Sequence, residues 1–423
     1  MALNLHPSPI RPIMPWSLTD YGDSCHASWP VIILASGERM AQQNVYDVLA
    51  QAAALEGDIG GIRITAVYDP IGGEGSRVFP PTYPSTDEKP YLIEKRRVDG
   101  KEREDALLSS SAGQANIAEQ ALLRAWGSGE ISLPIMRLLH QGQAEMTLTS
   151  LEFPHRYADA YVRDSLLDGQ PFDRSELGQA LRAATPDDAR ALFRHDPGSL
   201  VFGAWDSHRK GRQQRFPRIY SSELIGWDPV VAKRSAGRLD PLNLKGAVKP
   251  EKDAQGWDFV ASGQKVKGER LSEIGHGNIA PNPQHGGVTI SSAQRMATIS
   301  LAGLDRIGFG DAPREASVAA RVALAAYALL ADRLAFSAPS LWLRSGCELM
   351  LREERLEWVR RGNVTDRFEL SRREAVELFQ NAVQRSAAAG IGFATDVIDL
   401  RPSPALAKAI DFSLTSAAPE AGE

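Results

Sequence analysis

Ile62-Arg63-Ile64-Thr65-Ala66-Val67-Tyr68 alternates along its length and carries several β-branched residues. Such a stretch reads as a strand with one face in a core. A turn-rich loop follows, Asp69-Pro70-Ile71-Gly72-Gly73-Glu74-Gly75, and then Pro80-Pro81. Upstream, a helix is predicted over about 43–55, closed by Gly57, Gly60 and Gly61. Downstream, Ser109 to Ser111 can cap a helix over about 114–126. Strands are predicted near 131–138 and 144–152, and helical patterns recur near 156–167, 174–184 and 186–195. Leu200-Val201-Phe202-Gly203-Ala204-Trp205 reads as a buried strand. Residues 206–290 are basic, Gly-rich and Pro-rich and read as long loops around short elements. Beyond them the pattern predicts a strand over 296–309, an Ala/Leu helix over 315–336, a strand over 341–351 and a helix over 371–389. The expected order is strand, helix, strand, a large insertion, strand, helix, strand. That is an α+β fold with the ferredoxin-like order, which RNA-recognition folds use.

The bulk numbers fit an ordinary globular chain. It has 423 residues, 43% hydrophobic and 24% charged, enough for two or three domains or one core with large insertions. Only Cys25 and Cys347 are present, with no CxxC pair, so no structural zinc is expected and a reducing compartment is the default. The proline-rich start is not a signal peptide. No apolar run reaches the ~18 residues that cross a bilayer, so a cytoplasmic protein with no membrane partner is expected. The formal net charge is -5, yet residues 207–270 hold 14 Lys/Arg against 7 Asp/Glu. A local patch of that sign attracts phosphate whatever the global sum.

Enzyme signatures are missing. The sequence contains no GxxxxGK[ST], no GxGxxG opening a helix, no GxSxG and no HExxH. Adjacent carboxylates such as Asp187-Asp188 do not share a helix face and read as solvated charges. His155, His195, His208, His276 and His285 are scattered and read as loop or hydrogen-bonding residues. No catalytic residue, metal or cofactor is expected.

Four clusters carry binding chemistry. Ser109, Ser111, Gln114 and Asn116 sit at a predicted helix start, where free N–H groups donate to phosphate; ordinary capping is the plainer reading. Gln114 and Asn116 are two apart, so at most one of them faces a ligand. Arg156 and Arg163 would share one face of a helix and grip phosphates, or pair with Asp159, Asp164 or Asp168. In the third cluster, Trp205, Ser207, Lys210, Arg215, Arg218, Ser221 and Ser222 mix cations, an aromatic ring and hydroxyls, and Arg234 and Arg238 extend it. Cations neutralise phosphate and aromatics stack on bases; a solvated charged loop is the alternative. The fourth cluster, with His276 and Asn278, is glycine-rich and allows close backbone approach, or is simply a turn-rich connection.

In this order the clusters resemble a known family, the backbone RAMP protein of CRISPR type I-U (I-G) systems, a divergent branch of the Cas-seven family. The matching pieces are Ala66 to Gly73 with Pro80 to Tyr83, Ser109 to Ala118, and Thr149 to Arg156 with Asp159-Ala160 and Arg163 to Ser165. They continue with Leu200 to Ser207, Arg218, Ser221 to Gly226, Arg238 to Pro241, His276 to Ile279, Gly286 to Thr289, and Leu343 to Cys347. Ser110, Ala112 and Gly237 depart from the family pattern, and 1–44 and 361–423 match nothing in it.

The resemblance implies an RNA-recognition (ferredoxin-like) palm with large inserted finger and thumb elements. Its parts are a 1–44 arm, a discontinuous palm over 45–152 and 291–360, an inserted helical and basic-loop region over 153–290, and a 361–423 helical extension and tail. It also implies a crRNA-binding backbone subunit of a Cascade complex. The partners are the crRNA guide, target DNA reached through guide pairing, further copies of the chain and other Cascade subunits. A metal-independent endoribonuclease maturing guide RNA, with His155 or His208 as base, is the alternative. Cutting of target RNA would need a metal-binding acid, for which Asp206 and Asp240 are the candidates.

Overall fold

A computed structural model describes residues 44–83, 90–142, 145–206, 214–233, 237–242, 244, 246–250, 257–260, 269–272, 274–278 and 286–415. The strands used below are β1 (Ile59–Pro70), β2 (Ile93–Val98), β3 (Lys101–Ser109), β4 (Met136–Gln141), β5 (Glu145–Thr149), β6 (Ala204–Asp206), β7 (Gln214–Phe216), β8 (Tyr220–Trp227), β9 (Ser292–Ser300), β10 (Ser340–Trp342), β11 (Glu348–Arg360), β12 (Thr365–Phe368) and β13 (Ile398–Pro402). The principal helices are α1 (Val45–Ala53), α2 (Ser111–Gly127), α3 (Arg314–Phe336) and α4 (Arg372–Ala388).

The predicted strand at 62–68 is the middle of β1. Ile62, Ile64, Ala66 and Tyr68 are buried and alternate with half-buried Arg63, Thr65 and Val67, the pattern of a strand with one covered and one open face. β1 is central in a sheet ordered β10–β11–β1–β9–β8–β3–β2, with β12 also on β11. All of these pairings are antiparallel. α2 and α3 pack together on the covered side, and α4 packs on α3. Val322 to Arg333 of α3 is buried without a break. A helix apolar on every side must be enclosed, so this run is core, and no described helix is long and apolar enough to cross a membrane.

Helix ends follow their caps. The Ser110 hydroxyl accepts from Gly113 N at 3.2 Å to start α2. Ser371 and Glu374 form a reciprocal capping box at α4.

Several expectations need correction. β4 and β5, read as palm strands, lie in a separate sheet with β13. The second central strand is instead β8, inside the 153–290 stretch expected to be an insertion. Its residues, Tyr220-Ser221-Ser222-Glu223-Leu224-Ile225-Gly226-Trp227, show no apolar–polar alternation, because the polar Ser222 takes an inward place. The stretch 200–205 is not one strand. Asp196 accepts from Ser199 N at 3.3 Å and Pro197 opens a helix over Pro197–Val201, Gly203 turns at φ +84°, and β6 follows. The expected helix at 156–167 breaks into a 3-10 turn (Arg156–Ala158), a helical turn (Ala160–Arg163) and a strand (Ser165–Leu167). Arg156 itself has φ +53°, outside the helical region. β9 stops at Ser300, whose hydroxyl caps a short helix by accepting from Gly303 N at 2.9 Å. The predicted strand at 341–351 is the β10–β11 hairpin.

Candidate nucleic-acid interface

The α2 start divides its predicted residues by face. Gln114 is fully buried, and its Oε1 accepts from the Ser222 hydroxyl at 3.0 Å. Ser222 is buried beside it, while Ser221, one residue earlier, lies on the open sheet face opposite Thr298. Gln114 and Ser222 are therefore interior residues and not ligand contacts, since a strand turns successive side chains to opposite faces. They border a charged cluster at the centre of the fold. Arg295 Nη1 donates to Asp332 Oδ2 at 2.6 Å, Arg333 grips Glu354 with two bonds of 2.6 and 2.8 Å, and the Tyr220 hydroxyl donates to Asp332 at 2.9 Å. Burial alone would raise Asp332, but Arg295 and Arg333 outweigh it and hold its carboxyl well below the usual range.

The outer part of the same helix start opens onto a groove of about 640 Å3. Ser109, Ser110, Gly113 and Asn116 form its floor, Phe79 to Tyr83 one wall, and Leu343 to Ser345 another. Ser111 is half-buried and does not line it. Arg344 is exposed, and no carboxylate lies within salt-bridge distance of it among the described residues. Phe79 and Tyr83 are exposed aromatics. Sequence reasoning passed over these three as site residues; the available signal was an Arg-Ser-Gly turn directly after an apolar run.

Arg156 does not reach outward either. Its guanidinium is paired with Glu119, at 2.7 and 3.0 Å, and its Nη1 donates to the Gly203 carbonyl at 2.8 Å. Burial pushes the Glu119 carboxyl up to about 7, with Arg156 pulling the other way. Arg163 pairs with Asp164 at 2.8 Å and is partly exposed. The common helix face expected for the two arginines does not exist, because the 156–167 segment is broken.

β6 and β7 form a two-stranded ribbon in which Trp205 lies opposite Arg215. Trp205 is 56% exposed, and the Arg215 guanidinium sits 5.8 Å from its ring centroid. Arg218, just beyond, is exposed. Neither arginine has a carboxylate within salt-bridge distance among the described residues. Cross-strand neighbours of this kind offer a flat ring and a cation side by side. Two further predicted segments meet. Arg238 donates to the carbonyls of Gly275 and Gly277, and Asn278 accepts from Asp240 N at 2.6 Å. Arg238 thus pins a loop, and His276 is exposed on it. Ser207, Lys210 and Arg234 lie outside the described residues, as does His208. Among the described residues no three His, Cys, Asp or Glu side chains gather to hold a metal.

Residues 62–230 match a family described as CRISPR-associated protein GSU0053. This chain is similar to a CRISPR-associated protein family. The matched region is under half of the chain but runs from β1 through the 79–83 wall, α2, Arg156 and the ribbon to the end of β8. No curated protein matches. Among solved structures, the crystal structure of Thermofilum pendens Csc2 is similar at 11% identity, covering 81% of this chain and 80% of that one, with a TM-score of 0.26.

Proposed function

We propose that this chain is a crRNA-binding backbone subunit of a type I Cascade effector complex, of the I-U (I-G) kind, that polymerises along guide RNA. The observation that carries the reading is the exposed Trp205–Arg215 pair with Arg218 beside it. These are cations with no carboxylate within salt-bridge distance among the described residues, set against an open aromatic ring, on a chain whose fold-holding arginines are paired. The match of residues 62–230 to a CRISPR-associated family supports it.

The palm reading is supported by element order. β1, α2, β8, β9, α3 and β11 run strand–helix–strand–strand–helix–strand, and the strands lie in space as β11–β1–β9–β8, the split βαβ arrangement. Arginine grips phosphate, the ring stacks on a base, and neither reads sequence. Specificity is then left to guide pairing with target DNA. Other copies of the chain and other Cascade subunits are the remaining partners, in the cytoplasm.

The chain itself cuts nothing in this proposal. Incubation with precursor RNA should give no product that His155→Ala or His208→Ala abolishes. The assembly claim is tested by co-expression with a guide-encoding repeat array. Small RNA of uniform length should co-purify; RNA of random length, or none, would count against the proposal.

A further inference from the structure

Arg156 is built like a clamp. Glu119 on α2 holds two of its nitrogens, and the third donates to the Gly203 carbonyl, the last residue before β6. Its guanidinium also lies 5.3 Å from the ring centroid of buried Phe202. The side chain is only 11% exposed, and it is held although its own backbone adopts the left-handed conformation at φ +53°, which a branched-free L residue enters at a cost. On the other side, Gly203 has no room. A Cβ there would meet Arg218 Cγ at 2.9 Å and the Phe216 carbonyl oxygen at 3.0 Å. The point where the ribbon leaves the core is therefore fixed from two directions, by the guanidinium on one side and by the chain at 216–218 on the other.

We infer that Arg156 is a positioning residue for RNA binding. Through the Gly203 carbonyl it sets the direction in which the Trp205–Arg215 ribbon projects, and it touches no RNA itself. This rests on the proposed RNA-binding role of the ribbon. A lysine cannot span Glu119 and Gly203 together, because an ammonium lacks the planar fork.

The test compares Arg156→Lys and Glu119→Gln with the wild-type full chain, by amide hydrogen exchange and by titration with unrelated single-stranded RNAs at several salt concentrations. Both variants should unfold cooperatively and keep central-sheet protection. Amides at 204–206 and 214–216 should exchange at least tenfold faster. RNA affinity should drop about tenfold with an unchanged salt slope, since no phosphate contact is removed. Two results would overturn the inference: unchanged ribbon exchange in both variants, or a slope shallower by the ~0.7 expected for one lost phosphate contact on a single strand, which would make Arg156 a direct contact. If the wild-type chain binds no RNA, the proposed function fails, while the exchange arm still decides whether the clamp holds the ribbon.

Discussion

Two groups of charged residues, one buried around Tyr220 of β8 and one on the ribbon that precedes β8 along the chain, are used in opposite ways. Between the sheet and its helices, Arg295, Asp332, Arg333 and Glu354 are closed on one another, joined by Tyr220, with Ser222 and Gln114 at their edge. On and just beyond the ribbon, Arg215 and Arg218 are exposed, with no carboxylate within salt-bridge distance among the described residues. Charge removed from water must be paired to survive there, so the inner group can only organise the fold: it ties α2 and α3 to β8, β9 and β11. Charge left in water and unpaired costs the fold nothing and remains free for phosphate. Arginine content alone does not distinguish the two; pairing and exposure do.

The largest expected effect lies inside. Asp332→Asn leaves Arg295 and Arg333 short of a counter-charge and should cost about 3–5 kcal/mol of stability, measured by urea unfolding. RNA affinity per folded molecule should stay the same. On the ribbon the outcome should be reversed. Trp205→Ala should weaken RNA binding by about 1–3 kcal/mol, the scale of one lost base stack, with no change in the unfolding midpoint.

Acidity separates two buried carboxyls. Asp332 is held below its unfolded value, so its stabilisation is complete above the ordinary carboxylate range, near pH ~4, and is lost as pH falls from there. Glu119 is raised to about 7 by burial, so folding favours its protonated form. Stability from that site should fall as pH rises from ~4.3 towards 7, by at most about 3 kcal/mol. Glu119→Gln should flatten that limb, and Asp332→Asn the acid one, in unfolding free energies measured from pH 3 to 8. The smallest effect belongs to the surface. Arg103 and Asp228 form a two-bonded exposed pair at 2.8 and 2.6 Å, and Asp228→Asn should cost no more than about 1 kcal/mol.

What the sequence disclosed follows from the range of the forces involved. The 62–68 strand, the α2 start and the 315–336 helix were legible because alternation, capping and unbroken apolarity are local signals. β8 was not, because its place between β9 and β3 is set by pairing across long stretches of chain. Single-residue backbone choices were equally hidden: φ +53° at Arg156 breaks a helix that periodicity alone predicts. At the site, residue type drew attention to Trp205, Arg215 and Arg218. It could not separate them from Gln114, Ser222 and Arg156, whose polar groups are turned inward. That separation depends on which side chains find partners, a property of the folded chain.

The most direct test is a titration of purified wild-type chain with unrelated single-stranded RNAs across a range of salt. If open cations on the ribbon grip ribose-phosphate, the logarithm of the affinity should fall in a straight line against the logarithm of salt, by about 0.7 for each phosphate neutralised, and less steeply once Arg215 and Arg218 are both alanine. An affinity indifferent to salt, or a slope that the double substitution leaves untouched, would contradict it.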